Sequence, residues 1–279
     1  AQSQATVFPR ETLGAADFST RVECVEGKSI AVDRTMYWTG PSAQCAEAHC
    51  ASGVTSPDTT WYMPEGSTAW GFECYLLIQN PGDAPASCDI TWMIQGKDPV
   101  VSPVTVPGSS RATYNMADFI GAEDASIRVT SGEPVICERA MYRNNRREGH
   151  DSGGTTNAQG DYYLAEGCSG FGFTTYVLIQ NPQDTPTEVT VTYQAVAGPV
   201  PGPSFVMPPN SRHTICVNDS TQIPGPDPSF STHVHGSAPI ICERAMYWRG
   251  GPDAGEACHD SIGLSAPHTA WFLADGQSS

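Results

Sequence analysis

The sequence predicts an all-β protein built of tandem immunoglobulin-like β-sandwich repeats of about 105 residues, the first of them truncated. Three observations point there. The heptapeptide ICERAMY stands at 136–142 and again at 241–247, with a degenerate copy, AVDRTMY, at 31–37, so Arg34, Arg139 and Arg244 recur at one interval. Apolar runs alternate with turn residues, and 27 Gly and 23 Pro in 279 residues is a density that helices do not tolerate. About seven such runs fit within one interval, the strand count of a sandwich domain.

Other landmarks follow the same period. WYMPEG begins at Trp61, YYLAEG at Tyr162 and WFLADG at Trp271, while YLLIQNPGDAP at Tyr75 answers YVLIQNPQDTP at Tyr176. RETLGAADF from Arg10 matches RATYNMADF from Arg111, and HDSGG at His150 matches HDSIG at His259. The repeats divide the chain into a truncated unit at 1–58, full units at 59–158 and 159–268, and an orphan strand at 269–279 that starts a further repeat. In the middle unit, alternation predicts strands at 60–63, 72–79, 87–94, 101–106, 111–115, 126–130 and 134–142. IQNPGDAP reads as a tight turn joining two strands of a hairpin. The first unit has no counterpart of 72–106.

Composition narrows the function. A formal charge of -16 excludes nucleic acid as a partner, because such a protein needs clustered cations to displace counterions from phosphates. Ten cysteines without zinc or haem spacing imply disulfides, and with them an extracellular, cell-surface location. The opening AQSQA, with no Met and no charged and apolar leader, is expected of a mature secreted protein. No apolar run is long enough to span a membrane as a helix. Neither an EF-hand nor a glycine-aspartate calcium repeat is present, so no metal or cofactor is implied.

Strand alternation puts Arg139 on the apolar stripe with Val135, Cys137 and Met141, and gives Arg34 and Arg244 the same setting. A buried guanidinium demands a carboxylate, so each arginine is expected in a structural ion pair that pins a neighbouring loop. Candidate partners recur with it: Glu65, Glu166 and Asp275 of the EG-type motif, and Asp151 and Asp260 after the histidine. His150-Asp151-Ser152 and His259-Asp260-Ser261 hold the residue types of a triad, but adjacent residues diverge from one another, and the first unit reads His49-Cys50-Ala51. No catalytic residue is therefore assigned, and the protein is not expected to be an enzyme.

Cys74 and Cys88 flank the IQNP turn and replace Thr175 and Val189 of the last unit together, which suggests a cross-strand disulfide. Cys45 and Cys50 bracket one loop; Cys137 with Cys168 and Cys216 with Cys242 are further candidate pairs, leaving Cys24 and Cys258 for a bond between molecules. Trp70, in the loop GSTAWGF, is the candidate exposed platform for a glycan.

YLAEG, YVLIQNP, ICERAMYW and HDSIG, spaced as here, together resemble a repeat family of unknown function found in secreted and cell-surface proteins of actinobacteria. The resemblance covers nearly the whole chain and implies a surface location and a non-catalytic module; AVDRTMYW in the first unit departs from it. These readings converge on a structural subunit of an extracellular filament or surface assembly. It would polymerise head to tail with copies of itself, its incomplete first repeat complemented by the strand carrying Trp271, Phe272, Leu273 and Ala274 of a neighbour. The alternative is an adhesion module that binds a carbohydrate or a surface protein.

Overall fold

The computed structural model describes residues 3–41, 46–249 and 256–272. The chain is all-β, and its described residues pair only antiparallel and include three helical turns. The first unit opens on one of these, α1 (Pro9–Leu13), where the repeat predicts a strand like that at 111–115. The cause is a missing neighbour: in the middle unit that strand pairs with Phe72–Asn80, which has no counterpart in the first unit. A stretch without strands then leads to β1 (Asp33–Trp38) and β2 (Glu47–Ser52), an isolated antiparallel pair.

The middle unit comprises β3 (Asp58–Met63), β4 (Phe72–Asn80), β5 (Ala86–Ile94), β6 (Val100–Val106), β7 (Ser110–Asn115), α2 (Ala117–Ile120), β8 (Ala125–Arg143) and β9 (Glu148–Gly153). Two expected strands, 126–130 and 134–142, are one continuous β8. Its first half pairs with β3 and β5, and its second half with β4 and β9. The last unit repeats this wiring with β10 (Gln159–Leu164), β11 (Phe173–Asn181), β12 (Thr187–Ala195), β13 (Gly198–Met207), β14 (Ser211–Cys216), α3 (Val217–Ser220), β15 (Phe230–Arg249) and β16 (Glu256–Ile262). Strand orders β6-β5-β8-β4-β7 and β13-β12-β15-β11-β14 correspond one to one.

Each sheet curls so that its two halves share one core. Trp61, Ile90, Trp92 and Val129 from one half meet Leu76, Ile78, Cys137 and Met141 from the other. Burying side chains of this size contributes roughly 1.5–3 kcal/mol each. Trp61 also donates its indole N–H to Val135 O at 2.8 Å, so its polar atom is satisfied inside the core.

The IQNP motif does a different job from the expected hairpin. β4 pairs with β7 and β8, whereas β5 pairs with β6 and β8, so the turn carries the chain from one half of the sheet to the other. Asn80 fixes this crossover: its amide donates to Ala84 O at 2.8 Å and Val106 O at 3.1 Å, and its carbonyl accepts from Gly82 N at 3.0 Å. Asn181 repeats the pattern with Thr185 O, Pro208 O and Gln183 N. Both asparagines are buried. Truncation in Asn80→Ala strands these partners, and at ~1–3 kcal/mol per buried unsatisfied group the expected loss of stability is at least 2 kcal/mol, read as a lowered urea midpoint.

The same crossover corrects the disulfide assignments. Cys74 on β4 lies opposite Met141, and Cys88 on β5 opposite Ser131, so the two are not cross-strand neighbours. Cys137 belongs to the middle unit's core, while Cys168 sits beside Ser229 in the last unit. Cys216 faces Tyr176 on one side of its sheet, and Cys242 faces the other side, into the core. Among the described residues every cysteine is a free thiol, Cys24, Cys50 and Cys258 included; Cys45 lies outside them. Burial pushes the Cys74 thiol up to about 12, which makes it inert as a nucleophile.

Candidate functional site

The site is a joint that recurs between units. In β8 the side chains of Cys137, Arg139 and Met141 project to one face and those of Glu138, Ala140 and Tyr142 to the other; β15 does the same with Cys242, Arg244 and Met246 against Glu243, Ala245 and Tyr247. The arginine face of β8 and β9 packs on the glutamate face of β15 and β16. The arginine face of β1 and β2 packs in turn on the glutamate face of β8 and β9. Three two-stranded ribbons are thereby stacked, the middle one offering unlike faces to its two neighbours.

At the joint between the middle and last units Arg139 is completely buried. Its guanidinium bonds Glu243 Oε1 at 2.9 Å, approaches Glu65 Oε2 at 3.3 Å and contacts Asp260. His150, from β9, joins the cluster through Asp260 Oδ2 at 3.0 Å and Tyr247 Oη at 3.0 Å. The expected partners Glu65 and Asp260 are thus both present, but only Glu65 comes from the arginine's own unit. Glycine follows the acid in the EG motif because the backbone passes close there: a Cβ at Gly66 would lie 2.5 Å from Ala125 O, and one at Gly167 2.3 Å from the Phe230 ring.

Burial by itself would lower the His150 pKa, but the Asp260 and Glu65 carboxylates outweigh it, and the net shift is upward. Glu243 is pushed up by burial against the pull of Arg139, with Asp260 and Glu65 adding to the rise. Asp260, buried as it is, is held well below the usual carboxylate range by His150 and Arg139. The upward shifts of His150 and Glu243 both favour the protonated form, which offsets the negative charge that Asp260 brings into the buried cluster. Glu65, His150 and Asp260 place ligand atoms within 4.8 Å of one another, yet a guanidinium already occupies the space a metal ion would need.

The joint between the first and middle units is a thinner version. Arg34 bonds Glu138 at 2.6 and 3.1 Å and contacts Asp151, but its side chain is 42% exposed and no EG-type acid of its own unit reaches it. His49 Nδ1 lies 2.7 Å from Asp151 Oδ1, although neither atom is oriented for a hydrogen bond. Burial, then Arg34 and His150, lowers the His49 pKa to about 4, so the ring is neutral at pH 7 and this contact is not an ion pair. Trp38 completes the joint edge-on to Tyr142 at 5.3 Å.

The third arginine, Arg244, is itself buried, and the residues around it on one side stand open. Arg244 bonds Glu166 Oε2 at 3.0 Å and His259 Nδ1 at 3.1 Å, all within its own unit. His259 and Glu166 are exposed, whereas His150 and Glu65, their counterparts, are buried. His150 and Asp151 point to opposite faces of β9, each serving a different joint; His259 and Asp260 likewise point to opposite faces of β16, where Asp260 serves the joint with Arg139 and His259 stays within its own unit. Sequence reading found the arginines and most of their acids but missed Glu138, Glu243, His49, Tyr142 and Tyr247, because these contacts cross from one unit to the next. The recurrence of Glu beside each Arg, with Asp33 in the first unit, was the available signal.

Trp70 is 82% exposed and holds Asp124 Oδ2 at 3.3 Å through its indole N–H. Trp271 and Phe272 are exposed and form no strand; Leu273, Ala274 and Asp275 lie outside the described residues. No described helix is long and apolar enough to cross a membrane.

No protein family and no characterised protein matches the chain. Among solved structures, that of Thermotoga maritima 1070 aligns over 36% of this chain and 96% of its own, at 21% identity and a TM-score of 0.34. The Anabaena sensory rhodopsin transducer aligns over 31% and 91%, at 21% identity and a TM-score of 0.28. Neither likeness is close enough to bring a function with it.

Proposed function

We infer that this chain is a structural, non-catalytic subunit of an extracellular filament or surface assembly, its units immunoglobulin-like sandwiches, polymerising head to tail with copies of itself by strand complementation. The observation that carries the reading is the unfilled first unit. Val7, Phe8, Leu13, Phe18, Val22, Val25 and Ile30 are all exposed there, a concentration of apolar surface that a lone soluble chain rarely tolerates.

Two contacts indicate what is missing. In the last unit Arg212 donates to Gly66 O at 3.1 Å, and Gln180 to Ile127 O at 3.2 Å, so the last unit reads the EG loop and long strand of the unit before it. Arg111, the counterpart of Arg212, keeps only its Thr113 bond among the described residues. WFLADG carries the missing motif, and Trp271, exposed here, occupies the place of Trp61 and Tyr162, both buried at the centre of their cores. A neighbour's WFLADG strand laid beside the first unit would give Arg111 its carbonyl and the apolar run its cover.

Deleting 269–279 is expected to abolish polymers seen by negative-stain microscopy while leaving the monomer folded; unchanged fibres would eliminate the donor strand. The second reading, an adhesion module for a carbohydrate or surface protein, draws on Trp70 and Phe171. Both are exposed aromatics at positive φ (57° and 54°), each followed by a positive-φ glycine. On that reading Trp70→Ala lowers retention on immobilised glycans at least tenfold, and equal retention rejects it.

A further inference from the structure

We propose that the open face of His259 and Glu166, under which Arg244 lies buried, is the docking surface for a second copy of this chain, and that it receives the outward face of that copy's β1 and β2, with Asp33, Tyr37 and Cys50 in the places of Glu243, Tyr247 and Asp260. The proposal rests on the head-to-tail reading above and specifies which surfaces meet.

The argument is continuity with two joints already present. At both, one arginine face receives one acid face in the same register: Arg34 takes Glu138 and Asp151, and Arg139 takes Glu243 and Asp260. Arg244 is the third member of the series. Beside it Ala257, His259 and Ser261 on β16 are exposed, whereas the matching Glu148, His150 and Ser152 on β9 are covered by the next ribbon. At the other end of the molecule the face that would mate with it is equally open. Ala48, Cys50 and Ser52 on β2 are exposed, as are Thr35 and Tyr37 on β1, with Tyr37 at 70%.

The two faces are complementary in charge and shape. Asp33 stands at the Glu138 and Glu243 position, directly before the arginine, and carries the acid that Arg244 lacks from outside its own unit. Tyr37 stands where Tyr247 does, and Tyr247 Oη lies 3.0 Å from His150 Nε2 and 3.4 Å from Glu65. In the docked pair Tyr37 therefore meets His259 and Glu166. Cys50 replaces the aspartate, so this joint is the only one of the series built without that carboxylate, and it depends on Asp33 for its cross-molecule ion pair. The neighbour that supplies the arginine face is also the one whose WFLADG strand follows on from β16, so ribbon stacking and strand donation name the same copy and the same direction.

The test uses the full chain. In Asp33→Arg, at a half-buried position, and in His259→Glu, at an exposed one, sedimentation velocity is expected to show the concentration for half-association raised at least tenfold, with the monomer's circular dichroism unchanged. In His259→Cys, mild diamide oxidation is expected to join His259→Cys of one copy to Cys50 of the next, giving covalent ladders that vanish when Cys50→Ser is added. Cys50 alkylation by iodoacetamide should slow on assembly. Polymers that form with unaltered midpoint in both charge variants and without the Cys50-dependent ladder refute this contact while leaving head-to-tail assembly intact. A chain that stays monomeric at every concentration, with no ladder, refutes both.

Discussion

Arg139→Ala is expected to cost about 3–5 kcal/mol of stability, the range for removing one partner of a buried ion pair. Glu65, Glu243 and Asp260 would then face one another with His150 as their only cation, in a joint from which water is excluded. The same substitution at Arg34 removes a guanidinium that is 42% exposed, so solvent takes over its bond to Glu138 and the loss should be smaller than at Arg139, coming mainly from the buried Asp151 that it also contacts. Urea unfolding of the two variants side by side measures the contrast. Equal losses would show that the repeated arginines are interchangeable surface pairs.

Acidification should act on the two internal joints with opposite sign. The pKa of His49 falls from 6.5 to about 4 on folding, so between those values the unfolded chain binds a proton that the folded chain excludes. Its stabilising contribution is complete above pH 6.5 and is lost as the pH falls through the window, on the order of 3 kcal/mol in all. His150 is shifted upward, so its contribution is complete below 6.5 and is lost as the pH rises through its folded value. Glu243, also shifted upward, works in the same sense, its folded form being favoured while it keeps its proton. Between pH 7 and 5 the joint at Arg34 should loosen while the joint at Arg139 tightens. Imidazole resonances followed by NMR would show His49 titrating well below 6.5 and His150 above it; titration of both on the same side would contradict the assignment.

The recurring heptapeptide made the architecture legible in the sequence, since a motif repeated at fixed spacing returns to the same place in each unit. Strand positions in the middle unit followed from alternation, apart from β8, where the residues 131–134 at its centre read as a break yet continue as strand. The arginines were legible because a cation on an apolar stripe requires an acid. Which acid was not: Glu138 and Glu243 sit on the opposite side of the strand from the arginine next to them in sequence, so their partner had to come from a neighbouring ribbon. The pairing of Cys74 with Cys88 failed for a related reason: the two flank a turn, but the buried side chain of Asn80 turns the chain across the sheet instead of back along it.

At both joints an arginine side meets a glutamate side, so no two-fold axis relates one ribbon to the next. On the proposed head-to-tail reading, a contact between copies through the same two sides is heterologous, and each addition would restore the same pair of dissimilar ends. Growth of that kind would be directional, ending where the rotation between copies closes a ring or where a different protein offers one of the two sides and withholds the other.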